Sequence, residues 1–250
     1  MLNRIFLLGG ADLEMETIKK MLENHNEKFL TLNLLWENAF LNKYETLLSQ
    51  EIINNYRIYG IELRGESKYE NYTLIDHHNE RENEKSSLEQ IADILEIELN
   101  RYEKLVAAND RAYIPEMIKY GATNQEIKEI RGADRRAQLI KDEDEELAET
   151  SIRNNQIKID DLVIINSLTD KFTSICDRVF PWKKLIIYNK NKLVYYGENK
   201  NKLVDYFRLE LSTGRMYHGG GNTGFFGLAE KVYTESKINQ LVEIIKKVIR

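Results

Sequence analysis

Short apolar runs alternating with stretches of helical spacing fill the first third of the chain, and few folds accommodate that pattern. Residues 4–8 form an apolar run halted by Gly9-Gly10, after which residues 14–24 carry Met15, Ile18, Met21 and Leu22 at helical intervals. Residues 29–34 predict a second strand and residues 39–53 another helical stretch. Residues 56–63 and 72–75 predict two more strands, each ending in charged side chains. Strands this short and apolar, separated by helices, predict a mainly parallel, doubly wound α/β sheet, because parallel neighbours need a crossover and bury both faces.

Ser86 followed three residues later by Glu89 matches a capping box. It opens a helix whose Leu88, Ile91, Ala92 and Leu95 share one face. Helices are expected to continue to about residue 150, and residues 141–149 hold six carboxylates in nine positions. Such a run reads as a solvated helix face or a connector, and it divides a first domain, 1–150, from a smaller α+β domain, 151–250. In the second, residues 162–166, 184–188, 192–196 and 204–211 predict strands, residues 172–180 and 238–249 predict helices, and Asn189-Lys190-Asn191 predicts a hairpin turn.

The chain has 250 residues, enough for a sizeable core in one domain or two. A formal charge of −5 and a pI near 5.6 argue against a surface built for duplex nucleic acid. The single Cys176 excludes an internal disulfide framework and a cysteine-based zinc site, and reads as a core residue. The apolar stretch near the amino terminus is too short for a signal-peptide core, and no later run approaches the ~20 apolar residues of a membrane span. A cytoplasmic protein with no membrane partner is expected.

Residues 74–80, Leu-Ile-Asp-His-His-Asn-Glu, contain two of the four histidines. An apolar strand that runs out into Asp76, His77 and His78 presents a carboxylate and two imidazoles at the carboxyl edge of a sheet, where open α/β folds keep their sites. That donor set suits Mn²⁺, Zn²⁺ or Fe²⁺. A metal site draws on several strand ends. Asp12 and Glu14 follow the first strand, Glu62 ends another, and Asp110 follows the apolar Leu105-Val106-Ala107-Ala108. Plainer roles are open to each of them: helix caps for Asp12 and Glu14, turns or caps for Asp76 and Asp110.

An Asp-x-acid turn after the first strand, an acid ending a middle strand, Asp-His-His, and a later Asp among small residues together resemble the four motifs of the DHH phosphoesterase superfamily, over roughly residues 1–115. The resemblance implies a hydrolase in which Asp12, Glu14, Glu62, His77 and Asp110 hold one or two Mn²⁺ ions, or another divalent metal. Asp76, His77 and His78 form its catalytic motif. A metal-activated water would attack phosphorus in line, with no protein nucleophile. Three departures stand out: Gly9-Gly10 occupy the place where a histidine usually precedes the first acids, and Glu14 and Glu62 replace aspartates.

The carboxyl-terminal half carries His218-Gly219-Gly220-Gly221-Asn222-Thr223-Gly224. Consecutive glycines leave backbone amides unshielded before a phosphate or base, and a tight turn is the plainer reading. The segment is similar to the glycine-rich loop with which the second domain of many DHH proteins contacts substrate across an interdomain cleft. Asn222 stands where a histidine usually follows the glycines. By that resemblance Arg215, His218, Gly219, Gly220, Gly221 and Asn222 bind substrate, and Arg215 and Arg208 have the chemistry to pair with phosphate.

The expected function is hydrolysis of a phosphodiester or phosphoanhydride in a small nucleotide or short single-stranded oligonucleotide, in a cleft between the two domains. The alternative is a catalytically degenerate relative that keeps the cleft to bind a nucleotide or another ligand. A homodimer is open as an assembly. Arg131, Arg135 and Arg136, among Glu129 and Asp134, read as a solvated helix face. Trp36 and Trp182 could stack bases, although core packing accounts for most aromatic residues.

Overall fold

The computed structural model describes residues 3–78, 81, 84–219, 223–229 and 232–250, without the side chain of Glu37. The chain forms two compact units, Met1–Leu139 and Ile140–Arg250. The acidic run is the start of the second unit's first helix, so the division precedes it.

The first unit runs β1 (Asn3–Leu7), α1 (Leu13–Asn24), β2 (Lys28–Leu30), two short 3-10 turns, α2 (Gln50–Asn55), β3 (Tyr56–Ile61), β4 (Tyr72–Ile75), α3 (Ser87–Leu95), α4 (Arg101–Lys119) and α5 (Asn124–Ala137). Its four strands lie in the order β2-β1-β3-β4, all parallel. Both faces are buried, which is why the strands read as near-continuous apolar runs. Ile5, Leu7 and Ile58 pack on Ala39, Leu41, Tyr44 and Leu48, while Phe6, pointing the other way, stacks on Tyr59 at 5.1 Å between ring centroids. The chain leaves β1 for β2 on one side and then crosses to β3 on the other. The carboxyl ends of β1 and β3 therefore form a topological switch point, the crevice where open α/β sheets bind ligands.

Residues 39–53 do not form the expected helix. Leu41 N donates to Arg64 O at 2.9 Å and Arg64 N to Ala39 O at 2.9 Å. Backbone groups that would have closed helical turns are spent on the chain beyond β3, leaving the 3-10 turns Trp36–Asn38 and Leu41–Tyr44 and the short α2. The strand expected over 29–34 stops at Leu30. The helix that holds Asp110 is broken at Ala112 and Tyr113, where Tyr113 takes φ 62° and ψ −153°.

The second unit runs α6 (Asp142–Asn155), β5 (Gln156–Ile159), β6 (Leu162–Asn166), α7 (Phe172–Val179), β7 (Lys184–Tyr188), β8 (Leu193–Gly197), α8 (Lys200–Tyr206), α9 (Arg208–Ser212), β9 (Met216–Gly219), β10 (Phe225–Leu228) and α10 (Glu235–Val248). Its mixed sheet has the order β5-β6-β7-β8-β10-β9, with only β6 and β7 parallel among these pairs. Alternate residues of β6 and β7 serve opposite cores: Ile164 and Ile186 pack with α10, and Val163, Leu185 and Cys176 with each other. The hairpin turn forms as expected, because Asn189 Oδ1 accepts from the backbone of Asn191 and Lys192, both at 2.9 Å. Residues 204–211 are helical, not a strand. Leu203 and Phe207 lie one helical turn apart and are both buried, and helical spacing outweighs the local apolar density.

Candidate metal centre

The candidate ligands come from strand ends β3 and β4 and from helices α1 and α4. β3 stops because Glu62 adopts φ 51°, a left-handed conformation that costs an ordinary residue about 1–2 kcal/mol and that a neighbouring contact must hold. That contact is the amino terminus of α3. Ser87 Oγ donates to Glu62 Oε1 at 2.8 Å, and Leu88 N donates to Glu14 Oε1 at 3.0 Å. The helix start is fixed in turn by a capping box in which Ser86 and Glu89 satisfy each other's backbone.

At the centre lies His77, 6% exposed. Its Nε2 is 3.7 Å from Glu14 Oε2, 3.6 Å from Glu62 Oε1 and 2.5 Å from Asp110 Oδ2. Glu62, His77, His78 and Asp110 each offer a ligand atom within 4.8 Å of the others. His78 is held in turn by Asp76: its Nδ1 sits 2.9 Å from Asp76 Oδ1, and its backbone N–H donates to the same oxygen at 3.0 Å. A carboxylate that orients a histidine in this way is the usual support for an imidazole ligand.

The electrostatics point the same way. Burial, with Glu62 and Asp110 close by, raises the Asp12 carboxyl well above the ordinary range. Burial and Asp110 raise Glu14 well above it too. Burial works against the charge on His77, yet contact with Asp110, Glu14 and Glu62 raises its pKa. Burial would likewise raise Asp110, but His77 overrides it and the net shift is downward. Burial opposes ionisation of Asp76, and its hydrogen bonds to His78 reverse the sign. The buried Glu14 and Glu62 and the partly buried Asp110 thus converge on one imidazole, with Asp12 close enough to feel their charge.

A divalent cation fits this donor set. Glu14 Oε2, His77 Nε2 and Asp110 Oδ2 are buried and have no partner in hydrogen-bonding geometry among the described residues, although Asp110 closely approaches His77. With metal–ligand bonds of about 2.1 Å, two ligands of one ion lie about 3.0–4.2 Å apart, a range that includes the 3.6 and 3.7 Å separations here. The 2.5 Å approach of Asp110 to His77 is shorter than that range and would have to open around an ion.

Not every expected residue is in the cluster. Asp12 caps α1, accepting from Met15 N at 2.8 Å, and reaches the cluster through its charge. Asp76 acts on His78. In the second unit, His218 and Gly219 end β9, with His218 exposed. Burial and the nearby Lys200 lower the His218 pKa. A Cβ on Gly219 would come within 2.6 Å of the tip of the Phe225 ring, so a side chain there would displace that exposed ring. Arg215 is exposed and bonded to Thr213 Oγ1 at 3.0 Å. Gly220, Gly221 and Asn222 lie outside the described residues.

The structure also accounts for the missing first-motif histidine. A Cβ on Gly9 would collide with the carbonyl oxygen of Ile61, and one on Gly10 would lie 2.8 Å from Trp36 Cα. Two pieces of backbone fill the space a side chain would need. Sequence reasoning missed Ser87, whose partner Glu62 is 25 residues away, and misread Arg131, which is 5% exposed rather than solvated. Replacing Ser87 by Ala is expected to weaken Mn²⁺ binding about 10- to 100-fold while the protein stays folded. Calorimetric titration of the folded variant checks this, and an unchanged Kd would refute the positioning role.

A parallel sheet with a carboxylate–histidine cluster at its switch point, followed by a mixed-sheet unit, defines a two-unit α/β protein with a candidate metal centre. No protein-family model and no curated protein matches the sequence. Among solved structures, the chain is similar to the DHH domain of a protein assigned to a family of ribosomal proteins, with TM-score 0.56 and 12% identity over 99% of this chain and 87% of that one. It is also similar to a pGpG-specific phosphodiesterase from Vibrio cholerae, with TM-score 0.47 and 12% identity over 99% of both chains. The first of these likenesses carries the assignment: the chain has the fold of a DHH-domain protein.

No helix among the described residues is long and apolar enough to cross a membrane.

Proposed function

We propose that this chain is a metal-dependent phosphoesterase that hydrolyses a phosphodiester or phosphoanhydride in a small nucleotide or short single-stranded oligonucleotide. A fold does not choose a chemistry, so the reading rests on the site. The observation that supports it most is the convergence of Glu62, His77, His78 and Asp110 within 4.8 Å at the carboxyl edge of the sheet. A divalent ion held there, Mn²⁺ by the resemblance of the motifs, supplies an acidified water and offsets charge on a phosphate.

In this reading Glu62, His77, His78 and Asp110 bind the ion. Glu14 adds negative charge beside His77, and Asp12 does so while capping α1. Asp76 fixes the ring of His78 and so acts as a positioning residue. No protein nucleophile is required: Cys176 is buried, and Ser87 commits its hydroxyl to Glu62. We assign to the second unit a substrate-binding part, played by Arg215, His218, Gly219 and residues 220–222, and to the whole a compact cytoplasmic substrate.

The test is a panel of short oligonucleotides, cyclic dinucleotides, nucleoside monophosphates and pyrophosphate, incubated with Mn²⁺ and with a chelator. Turnover of at least one nucleotide with Mn²⁺ and none with chelator is expected. Metal binding without turnover of any of them would favour the degenerate, ligand-binding alternative, for which the closed space at Gly9 and Gly10 is the structural argument.

A further inference from the structure

We infer that Trp36 is the base-stacking platform of this site, so that its substrate carries a nucleobase, preferably a purine, next to the phosphate at the metal cluster. The inference rests on the phosphoesterase reading for the phosphate and on independent observations for the base.

Trp36 is 52% exposed, and its neighbour Leu35 is 47% exposed. An indole this open in a folded chain gains little from packing, yet its backbone is fixed on several sides. Gly10 pairs with Leu34, and Ala11 N donates to Leu34 O at 2.8 Å. Arg64 Nη2 donates to Trp36 O at 2.9 Å. The ring is therefore presented from a fixed base.

Its surroundings suit a nucleotide. Trp36 meets His78 edge-on, with centroids 6.2 Å apart and planes at 68°, and His78 belongs to the cluster. Trp36 thus adjoins a member of the candidate metal cluster, so a base stacked on its indole can belong to the nucleotide whose phosphate meets that cluster. The Arg64 guanidinium sits 5.2 Å from the Trp36 ring and 4.3 Å from that of Phe40. It lies over the indole and brings beside it a guanidinium whose chemistry suits a phosphate. An indole 52% exposed offers ring surface on which a flat base can stack. Inorganic pyrophosphate, which has none, would not use it.

The test uses the full-length protein with Mn²⁺ held constant. AMP should quench tryptophan emission in wild type and much less in Trp36→Phe, whose remaining signal comes from Trp182. Calorimetry should show AMP binding about tenfold tighter than ribose 5-phosphate, with the gap closed in Trp36→Ala and largely kept in Trp36→Phe. A gap that survives in Trp36→Ala, or quenching that is the same in Trp36→Phe, overturns the inference. Quenching and a closed gap without hydrolysis of any substrate would leave the base platform standing and overturn the phosphoesterase reading alone.

Discussion

His77→Ala is expected to abolish Mn²⁺ binding and to lower phosphoester hydrolysis by about 10³-fold or more. Residues that only support a metal ligand typically cost 10- to 100-fold when removed, and removing a ligand itself costs more. His77 faces Glu14, Glu62 and Asp110 at once, so no neighbouring imidazole takes its place: His78 is turned by Asp76. The substitution also takes the imidazole away from three carboxylates, so the variant is compared with His77→Gln, which fills the space without supplying an imidazole. Both are expected to bind no Mn²⁺ by metal analysis while keeping their far-ultraviolet circular dichroism. Asp76→Asn, which acts through His78, should lose only about 10- to 100-fold. Wild-type metal content or turnover in a folded His77→Ala protein would defeat the assignment of the centre.

Local signals made part of this legible in the sequence. The strands β1 and β4, the helix α1 and the capping box at Ser86 are each encoded within a few consecutive residues, and Asp76-His77-His78 announces itself because three ligand types adjoin one apolar strand. Glu62 and Asp110 carry no such local mark. Only their resemblance to family motifs picked them out, and only the pairing of β3 with β4 and the packing of α4 bring them to His77. The misreadings have the same cause. Residues 204–211 are dense in apolar side chains, which suits either a strand or a helix until Leu203 and Phe207 are seen to share one buried face. Residues 39–53 have helical spacing, but the backbone of Ala39 and Leu41 bonds to Arg64, a partner more than twenty positions away. Arg131 stands in an alternation of acids and bases that looks solvated, because nothing within its own helix shows that Asn109 and Tyr113 close over it.

Arg131→Met is expected to destabilise the first unit by about 3–5 kcal/mol, the usual loss when one partner of a buried ion pair is removed. Arg131 Nη1 donates to Asn109 Oδ1 at 2.8 Å and to Asp134 Oδ2 at 2.7 Å, and its guanidinium lies 4.5 Å from the Tyr113 ring. Methionine preserves much of the volume, so the loss reports charge and hydrogen bonding rather than a cavity. After the change, Asp134 keeps its bond from Gln138 Nε2 at 3.0 Å but no longer has that guanidinium beside it. At roughly 2–4 °C per kcal/mol, the melting temperature of the first unit should fall by roughly 6–20 °C. The effect should extend to the metal centre, because Asn109 adjoins Asp110 and Tyr113 occupies the break that ends this turn of α4. Mn²⁺ affinity should fall along with stability. Adding Asp134→Asn to Arg131→Met removes the carboxylate charge that faced Arg131 and is expected to restore more than half of the lost stability. Denaturant titration of the two single variants and the double variant separates the causes: recovery in the double variant identifies the lost Arg131–Asp134 ion pair, whereas equal losses in Arg131→Met and the double variant would assign the loss to the Tyr113 and Asn109 contacts.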